Sequence, residues 1–281
     1  MARPFAPLPV QAWPLDQRAA LVGVFTDIDD TLTTEGEITA PALQALADLQ
    51  SQGLHVIPIT GRPVGWSEPF AHTWPVDAIV AENGAVALTR SLVPEQVRSR
   101  LTPNTPSPGP RRLYTQDATT RARHFQRMQA VLDRIEREIP GARRSRDSSG
   151  RETDIAIDHS EYTHLAPTAI DDVVHLMQAE GMTATVSSIH INGWYGQHDK
   201  FTGACWIARE LLGRDLSQEL DRWVYVGDST NDQVMFQHFP HSVGVANILR
   251  FADQLKHPPR YITSQERGAG FAELAQLLLK R

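Results

Sequence analysis

The chain has 281 residues, with 33 acidic side chains against 27 Lys and Arg, for a net charge of −6. That length holds one large domain or two ordinary ones with ample core, and the acid surplus argues against a nucleic-acid partner, which calls for a basic face. A single cysteine, Cys205, excludes an internal disulfide and predicts a reducing, cytoplasmic setting; no apolar run approaches bilayer length, so no membrane partner is expected.

Pro4, Pro7, Pro9 and Pro14 break up any leader-like apolar segment and predict an irregular arm over residues 1–20. Residues 21–25 then read as a short buried strand that runs into Asp27-Ile28-Asp29-Asp30-Thr31. Three carboxylates at one strand end resist joint ionisation, so the crowding implies either a bound cation or an acid that holds a proton for chemistry; a solvated acidic loop is the plainer alternative. Thr39 caps a predicted helix that carries Pro41 in its first turn, buries Leu43, Leu46, Ala47 and Leu49, and stops at Gly53. A strand over 54–59 follows and ends in Thr60-Gly61-Arg62. Strand, helix and strand at this length predict a right-handed parallel crossover.

A weaker helix over 63–71 precedes a strand over 78–80, and Asn83-Gly84 predicts a tight hairpin turn with a return strand over 86–88. Five prolines between residues 94 and 110 predict a loop. A long amphipathic helix over 121–139 stops at Pro140-Gly141, and the cluster Arg143, Arg144, Arg146 reads as an exposed basic turn. A strand over 152–158, a helix over 167–181 and strands over 182–188 and 190–195 complete a second α+β unit. Lys200 starts a helical pattern in which Cys205 is core filler. A strand over 223–226 ends in Gly227-Asp228-Ser229-Thr230-Asn231-Asp232; a helix over 230–239, a strand over 242–245, a short helix over 248–255, an edge strand at 261–262 and a closing helix over 271–279 follow. His238 and His241 have H-x-x-H spacing but flank Pro240, and are read as coincidence rather than zinc ligands.

Ligands of open parallel sheets bind beyond the carboxyl ends of strands, so the acid pair, the Thr-Gly pair, the lysine and the second acid pair can converge. In this order, Asp27-Ile-Asp29-Asp-Thr, Thr60-Gly-Arg, Lys200 and Gly227-Asp228-Ser-Thr-Asn231-Asp232 resemble the four motifs of the haloacid dehalogenase-like phosphohydrolases. Asp30 stands where many members carry glycine and is expected to alter the turn. Only about thirty residues separate the first two motifs, while about 140 separate the second from Lys200, so the extra unit is inserted there. That placement is similar to subfamily IIB, which includes Cof-like and sucrose-phosphate phosphatase-like members with a type C2B cap. The resemblance implies an α/β fold, with a Rossmann-like doubly wound parallel core over 1–89 and 196–281 and an α+β cap over 90–195.

The resemblance also implies roles. Asp27 is the expected nucleophile, forming an aspartyl-phosphate that divides one hard displacement into two, and Asp29 is the expected general acid and base. Mg²⁺ is the expected cofactor, because the candidate ligands are all oxygens: the Asp27 side chain, the Asp29 backbone carbonyl and the Asp228 side chain, with Asp232 either a further ligand or the residue that orients Lys200. Thr60, Gly61, Lys200 and Asn231 are expected on the phosphoryl oxygens, and Arg62, Asn83, His190, Asn192 and His198 are candidates for substrate contact. Arg62 serves equally well as a phosphate clamp or a structural ion pair. The expected activity is a Mg²⁺-dependent phosphatase acting on a small phosphorylated metabolite, a sugar or sugar-acid phosphate, in a monomer or homodimer. A phosphotransferase or mutase of the phosphomannomutase type and a non-catalytic sugar-phosphate sensor are the alternatives.

Overall fold

The computed structural model describes residues 6–89 and 110–280. In chain order its strands are β1 (Leu8–Pro9), β2 (Gly23–Thr26), β3 (Thr33–Thr34), β4 (Glu37–Ile38), β5 (His55–Pro58), β6 (Ala78–Ala81), β7 (Val86–Thr89), β8 (Arg111–Tyr114), β9 (Arg143–Arg144), β10 (Ile155–Asp158), β11 (Thr183–Val186), β12 (His190–Trp194), β13 (Trp223–Gly227), β14 (His241–Gly244) and β15 (Tyr261–Ile262). Its helices are α1 (Leu15–Ala19), α2 (Ala40–Ser51), α3 (Val64–Thr73), α4 (Ala118–Glu138), α5 (Pro167–Ala179), α6 (Lys200–Leu212), α7 (Gln233–His238) and α8 (Arg267–Leu279).

The main sheet is fully parallel, in the order β1-β15-β14-β13-β2-β5. Its central strands β2 and β13 are buried at every position, as expected when helices cover both faces. On one face α2 and α8 pack Leu46, Leu49, Phe271 and Leu274 against Val24 and Val226; on the other, α6 and α7 bring Ile207 and Phe236 onto Phe25 and Tyr225. Thr39 caps α2 through the Ala42 amide, as expected, and Gly53 follows with φ 78°. A bridge from Ile59 to Val80 continues the sheet into the antiparallel set β6-β7-β8. A separate antiparallel sheet, β11-β12-β10-β9, carries α4 and α5 and has its own core of Met128, Leu132, Ile135, Ile157, Val173 and Ile191.

Several local readings need correction. Residues 8–19 are not an irregular arm: β1 pairs with β15, Val10 and Trp13 are buried, and Trp13 stacks on Tyr261 with ring centroids 5.0 Å apart. The strand at 261–262 is therefore interior, and β1 forms the edge. Asn83-Gly84 does sit between antiparallel strands, but the link is a 3₁₀ turn over Glu82–Gly84 with φ of 50°, 56° and 105° at its three residues, not a two-residue hairpin. The strand expected over 152–158 starts only at Ile155, because the amides of Glu152 and Thr153 bond to Glu82 instead. Residues 230–239 divide into a 3₁₀ turn and α7, and residues 246–254 are 3₁₀. The basic cluster forms β9, with Arg144 neutralised by Asp133 and Glu136. Asp30 takes the left-handed conformation (φ 53°) that glycine adopts most readily, so here an aspartate fills a glycine-like position in the turn. Apart from Pro110, the proline-rich segment lies outside the described residues. No helix among the described residues is long and apolar enough to cross a membrane.

Candidate active site

Four loops meet beyond the carboxyl ends of the parallel strands. Asp27 directly follows β2, Thr60 lies two residues after β5, Asp228 follows β13, and Lys200 opens α6 from the side. Asp199 caps α6 through the Thr202 amide, and Thr202 returns a bond to the Asp199 amide. Close approach of α6 is made possible by glycine: a Cβ on Gly203 would stand 2.4 Å from the Gly84 Cα.

Lys200 is buried, and its Nζ donates to Asp27 Oδ1 and Asp232 Oδ1, both at 2.7 Å. Burial pulls its pKa down, but Asp232 and Asp27 more than offset this, and the net shift is upward. Asp232 is fully engaged: Tyr225 Oη also donates to its Oδ1, and the Asp228 and Ser229 amides donate to Oδ2 at 2.9 and 3.1 Å. Of the two roles considered for Asp232, this geometry favours orienting Lys200. Asp27 keeps one carboxylate oxygen, Oδ2, without a hydrogen bond among the described residues.

Asp228 is buried and, among the described residues, accepts only from neutral groups, Thr31 Oγ1 at 3.3 Å and Asn247 Nδ2 at 3.1 Å. Burial and then the charges of Asp232 and Asp27 push its pKa well up. Burial, joined by Asp232 and Asp29 against the pull of Lys200, raises Asp27 to about 7. Carboxylate oxygens of Asp27, Asp228 and Asp232 lie within 4.8 Å of one another, and the Lys200 ammonium is paired with Asp27 and Asp232 but not with Asp228. Buried charge of one sign is costly unless compensated. A divalent cation would balance the surplus, and an all-oxygen donor set fits Mg²⁺.

Thr60 is buried and its hydroxyl accepts from the Arg62 amide at 3.0 Å. Arg62 is an ion-pair hub. Its Nε donates to both oxygens of Asp29 at 2.9 and 3.0 Å, Nη1 reaches Asp147 at 3.2 Å, and Nη2 reaches Glu161 at 2.8 Å. Of its two expected roles, the structure displays the ion pair. Asp147 and Glu161 come from the second sheet's connections, so Arg62 joins that unit to the parallel core. Burial opposes ionisation of Asp147, but Arg151, His190 and Arg62 prevail and hold it down at about 2. Glu161 is likewise lowered, against burial, by His190 and Arg62.

Asn83 and Asn192 both donate to Asp154, at 3.3 and 3.0 Å, and Arg151 bonds to Asp154 and to the Gly61 carbonyl at 2.9 Å. Burial raises Asp154 to about 7. His190 Nε2 lies 2.9 Å from Glu161. Asn231, whose carbonyl accepts from Ser229 at 2.7 Å, borders the same crevice as Asp27, Asp29, Gly61, Arg62, His190 and Asn192. His198 does not reach it. Its ring is buried against Trp194, centroids 5.4 Å apart, and neither nitrogen has a partner among the described residues. It falls in a structural position because the turn before α6 faces the second unit's core.

The crevice measures about 10 Å³, room for about one water. Asp29 and Arg62 both line it. A cavity of about 1140 Å³ lies elsewhere, by β1, β14 and Pro258-Pro259, and is lined by none of these carboxylates. Sequence reasoning missed Tyr225, Asn247, Asp147 and Glu161, and also Glu82, whose buried carboxylate accepts from the Val64, Glu152 and Thr153 amides.

Residues 24–99 match the family model described as haloacid dehalogenase-like hydrolase. No curated protein matches the chain. Among solved structures, Thermoplasma acidophilum 0175 superposes with a TM-score of 0.68 at 15% identity, covering 92% of this chain and 98% of that one. Sucrose-phosphatase from Synechocystis sp. PCC6803, in complex with sucrose and phosphate, gives 0.63 at 15% identity over 92% and 97%. A haloacid dehalogenase-like hydrolase from Bacteroides thetaiotaomicron gives 0.60 at 15% over 92% and 99%. At these identities the likeness is one of fold.

Proposed function

We propose that this chain, haloacid dehalogenase-like in its match over residues 24–99 and in its fold, is a Mg²⁺-dependent phosphatase. Its substrate is a small phosphorylated metabolite, a sugar or sugar-acid phosphate. The observation that carries this reading is the buried set of Asp27, Asp228 and Asp232, of which Lys200 pairs with Asp27 and Asp232, with Asp27 Oδ2 left unbonded among the described residues. Residues 90–195 are read as the inserted cap.

Phosphate monoesters resist attack because their charged oxygens repel a nucleophile, so catalysis is chiefly positioning and neutralisation. Asp27 and Asp228, with the Asp29 carbonyl, would hold the ion, which supplies charge neutralisation for the phosphoryl oxygens. Asp27 Oδ2 attacks phosphorus as the bond to the leaving oxygen breaks, and Asp29 delivers a proton to that oxygen. Asp29 then takes a proton from the water that attacks the aspartyl-phosphate, releasing phosphate and restoring Asp27. Lys200 holds Asp27 Oδ1 and so points Oδ2 outward. The Gly61 amide and Asn231 Nδ2 are donors suited to phosphoryl oxygens. Asp29 must leave the Arg62 fork to act, which ties proton transfer to a change in the lining of the crevice. The sugar reading draws support from the sucrose-phosphatase likeness in fold.

The test is phosphate release across a panel of sugar and sugar-acid phosphates, with Mg²⁺ and with EDTA. Release that EDTA silences and Asp27→Asn abolishes is expected. Transfer to added sugars with no net release would favour a phosphotransferase.

A further inference from the structure

Behind the Asp29–Arg62 pair lies a second cavity of about 300 Å³. It shares Asp29, Arg62 and Ile189 with the crevice, so Asp29 stands on the wall between the two. On the phosphatase reading, on which this inference rests, the phosphoryl group occupies the crevice and the leaving group lies on the far side of Asp29, in this cavity.

The wall of the cavity is prebuilt. The Asp158 carboxylate accepts four successive amides, Ser160 and Glu161 on Oδ1 at 3.2 and 2.9 Å and Tyr162 and Thr163 on Oδ2 at 2.9 and 3.1 Å. This holds the Glu161 carboxylate and the half-exposed Tyr162 ring at the cavity. Asp29, Asp30, Glu35 and Glu161 line it against one cation, Arg62, which is already divided among Asp29, Glu161 and Asp147. Further basic groups stand nearby but outside the lining: Arg267, 3.1 Å from Asp30, Arg250, whose charge acts on the same carboxylate, Arg146, 3.7 Å from the centre of the Tyr162 ring, and His190, 2.9 Å from Glu161. Carboxylates accept from hydroxyl groups and an aromatic face takes the apolar side of a ring, whereas a carboxylate brought here meets like charge.

We propose that this cavity is the leaving-group pocket and that Glu161 and its neighbouring acids select an uncharged polyhydroxyl leaving group over a carboxylated one, which narrows the substrates to phosphate esters of neutral sugars or polyols. A site built to bond hydroxyls rejects a mismatched analogue far more strongly than an apolar pocket does.

The experiment compares matched esters, glucose 6-phosphate with 6-phosphogluconate and glycerol 3-phosphate with 3-phosphoglycerate. It measures kcat/KM on the full chain with Mg²⁺ and Kd on the Asp27→Asn variant. The neutral member should lead by at least about tenfold, and Glu161→Gln should shrink that ratio at least threefold, because the charge that repels the carboxylate is gone. Using the ratio within each variant cancels any general loss of activity or folding. A carboxylated member equal or ahead, or a ratio unmoved in Glu161→Gln, overturns the proposal. A preference for the carboxylated ester that disappears in Arg146→Ala would also overturn it and assign the reading to that guanidinium. If neither ester releases phosphate, the phosphatase reading fails, and the Kd ratio still decides what the pocket takes.

Discussion

Thr153 gives both its amide and its hydroxyl to a single carboxylate oxygen of Glu82, across a separation of 71 residues. Glu82 is fully buried and left-handed at φ 50°, and its other oxygen takes the Val64 amide. An acid in such a position is costly unless every acceptor is used. Removing it leaves several buried donors unpaired, so Glu82→Ala should cost about 3 kcal/mol or more. Glu82→Gln should fall between the two, since its Nε2 faces donors. Urea unfolding midpoints rank the three proteins, and amide exchange at residues 151–154 should rise in the same order.

Burial lowers His198 from 6.5 to about 4. A base depressed on folding contributes stability that is fully present above pH 6.5 and lost as pH falls toward about 4, because only the unfolded chain then takes the proton readily. The full effect is at most about 3 kcal/mol. His198→Phe keeps a ring against Trp194 and should flatten stability between pH 4 and 6.5 relative to the parent. Equal slopes in denaturation series across that window would sink this account.

Lys200→Met should reduce kcat by about 10²–10³, on the scale of losing one preorganised electrostatic contact. It should also destabilise the fold by about 3–5 kcal/mol, because Asp27 and Asp232 lose their shared buried partner. Steady-state kinetics and thermal unfolding test the two effects separately.

Gly203→Ala should cost about 1–3 kcal/mol through overpacking, since the added carbon meets backbone 2.4 Å away at Gly84. The strain falls on the first turn of the helix that carries Lys200. A drop in kcat that survives at temperatures where the variant is fully folded is expected. Gly213→Ala, at the far end of that helix with open space around it but φ 64°, should cost stability and leave kcat intact.

The parallel core was legible because each of its central strands is an apolar run ending abruptly in polar residues, which marks both a buried strand and its functional end. Asp27 and Asp228 meet for that reason, at the ends of adjacent strands. The contacts that close the site left no such mark. Asp147, Glu161 and Glu82 are single acids in loops, and their partners lie 85, 99 and 71 residues away. Spacing along the chain carries no trace of such pairing. Val10 and Trp13 were overlooked for a different reason: two apolar residues among prolines have no period, yet β15 and His241 offer them a surface. The capture of amides by a carboxylate that shortens β10 was equally hidden, since Glu152 and Thr153 fit a strand until Glu82 claims their amides.

The turn Glu82–Gly84 joins three parts of the molecule within three residues. Glu82 fastens the start of β10, Asn83 meets Asp154 beside Gly61, and Gly84 abuts α6 at Gly203. A displacement that lifts residues 151–154 as a body must either break the Glu82 bonds or swing about them. The same turn abuts the helix that carries Lys200, so a swing about it would pivot where that helix is packed. On the proposed reading, a rocking of residues 151–154 about this turn would admit a substrate while Lys200 stays on Asp27.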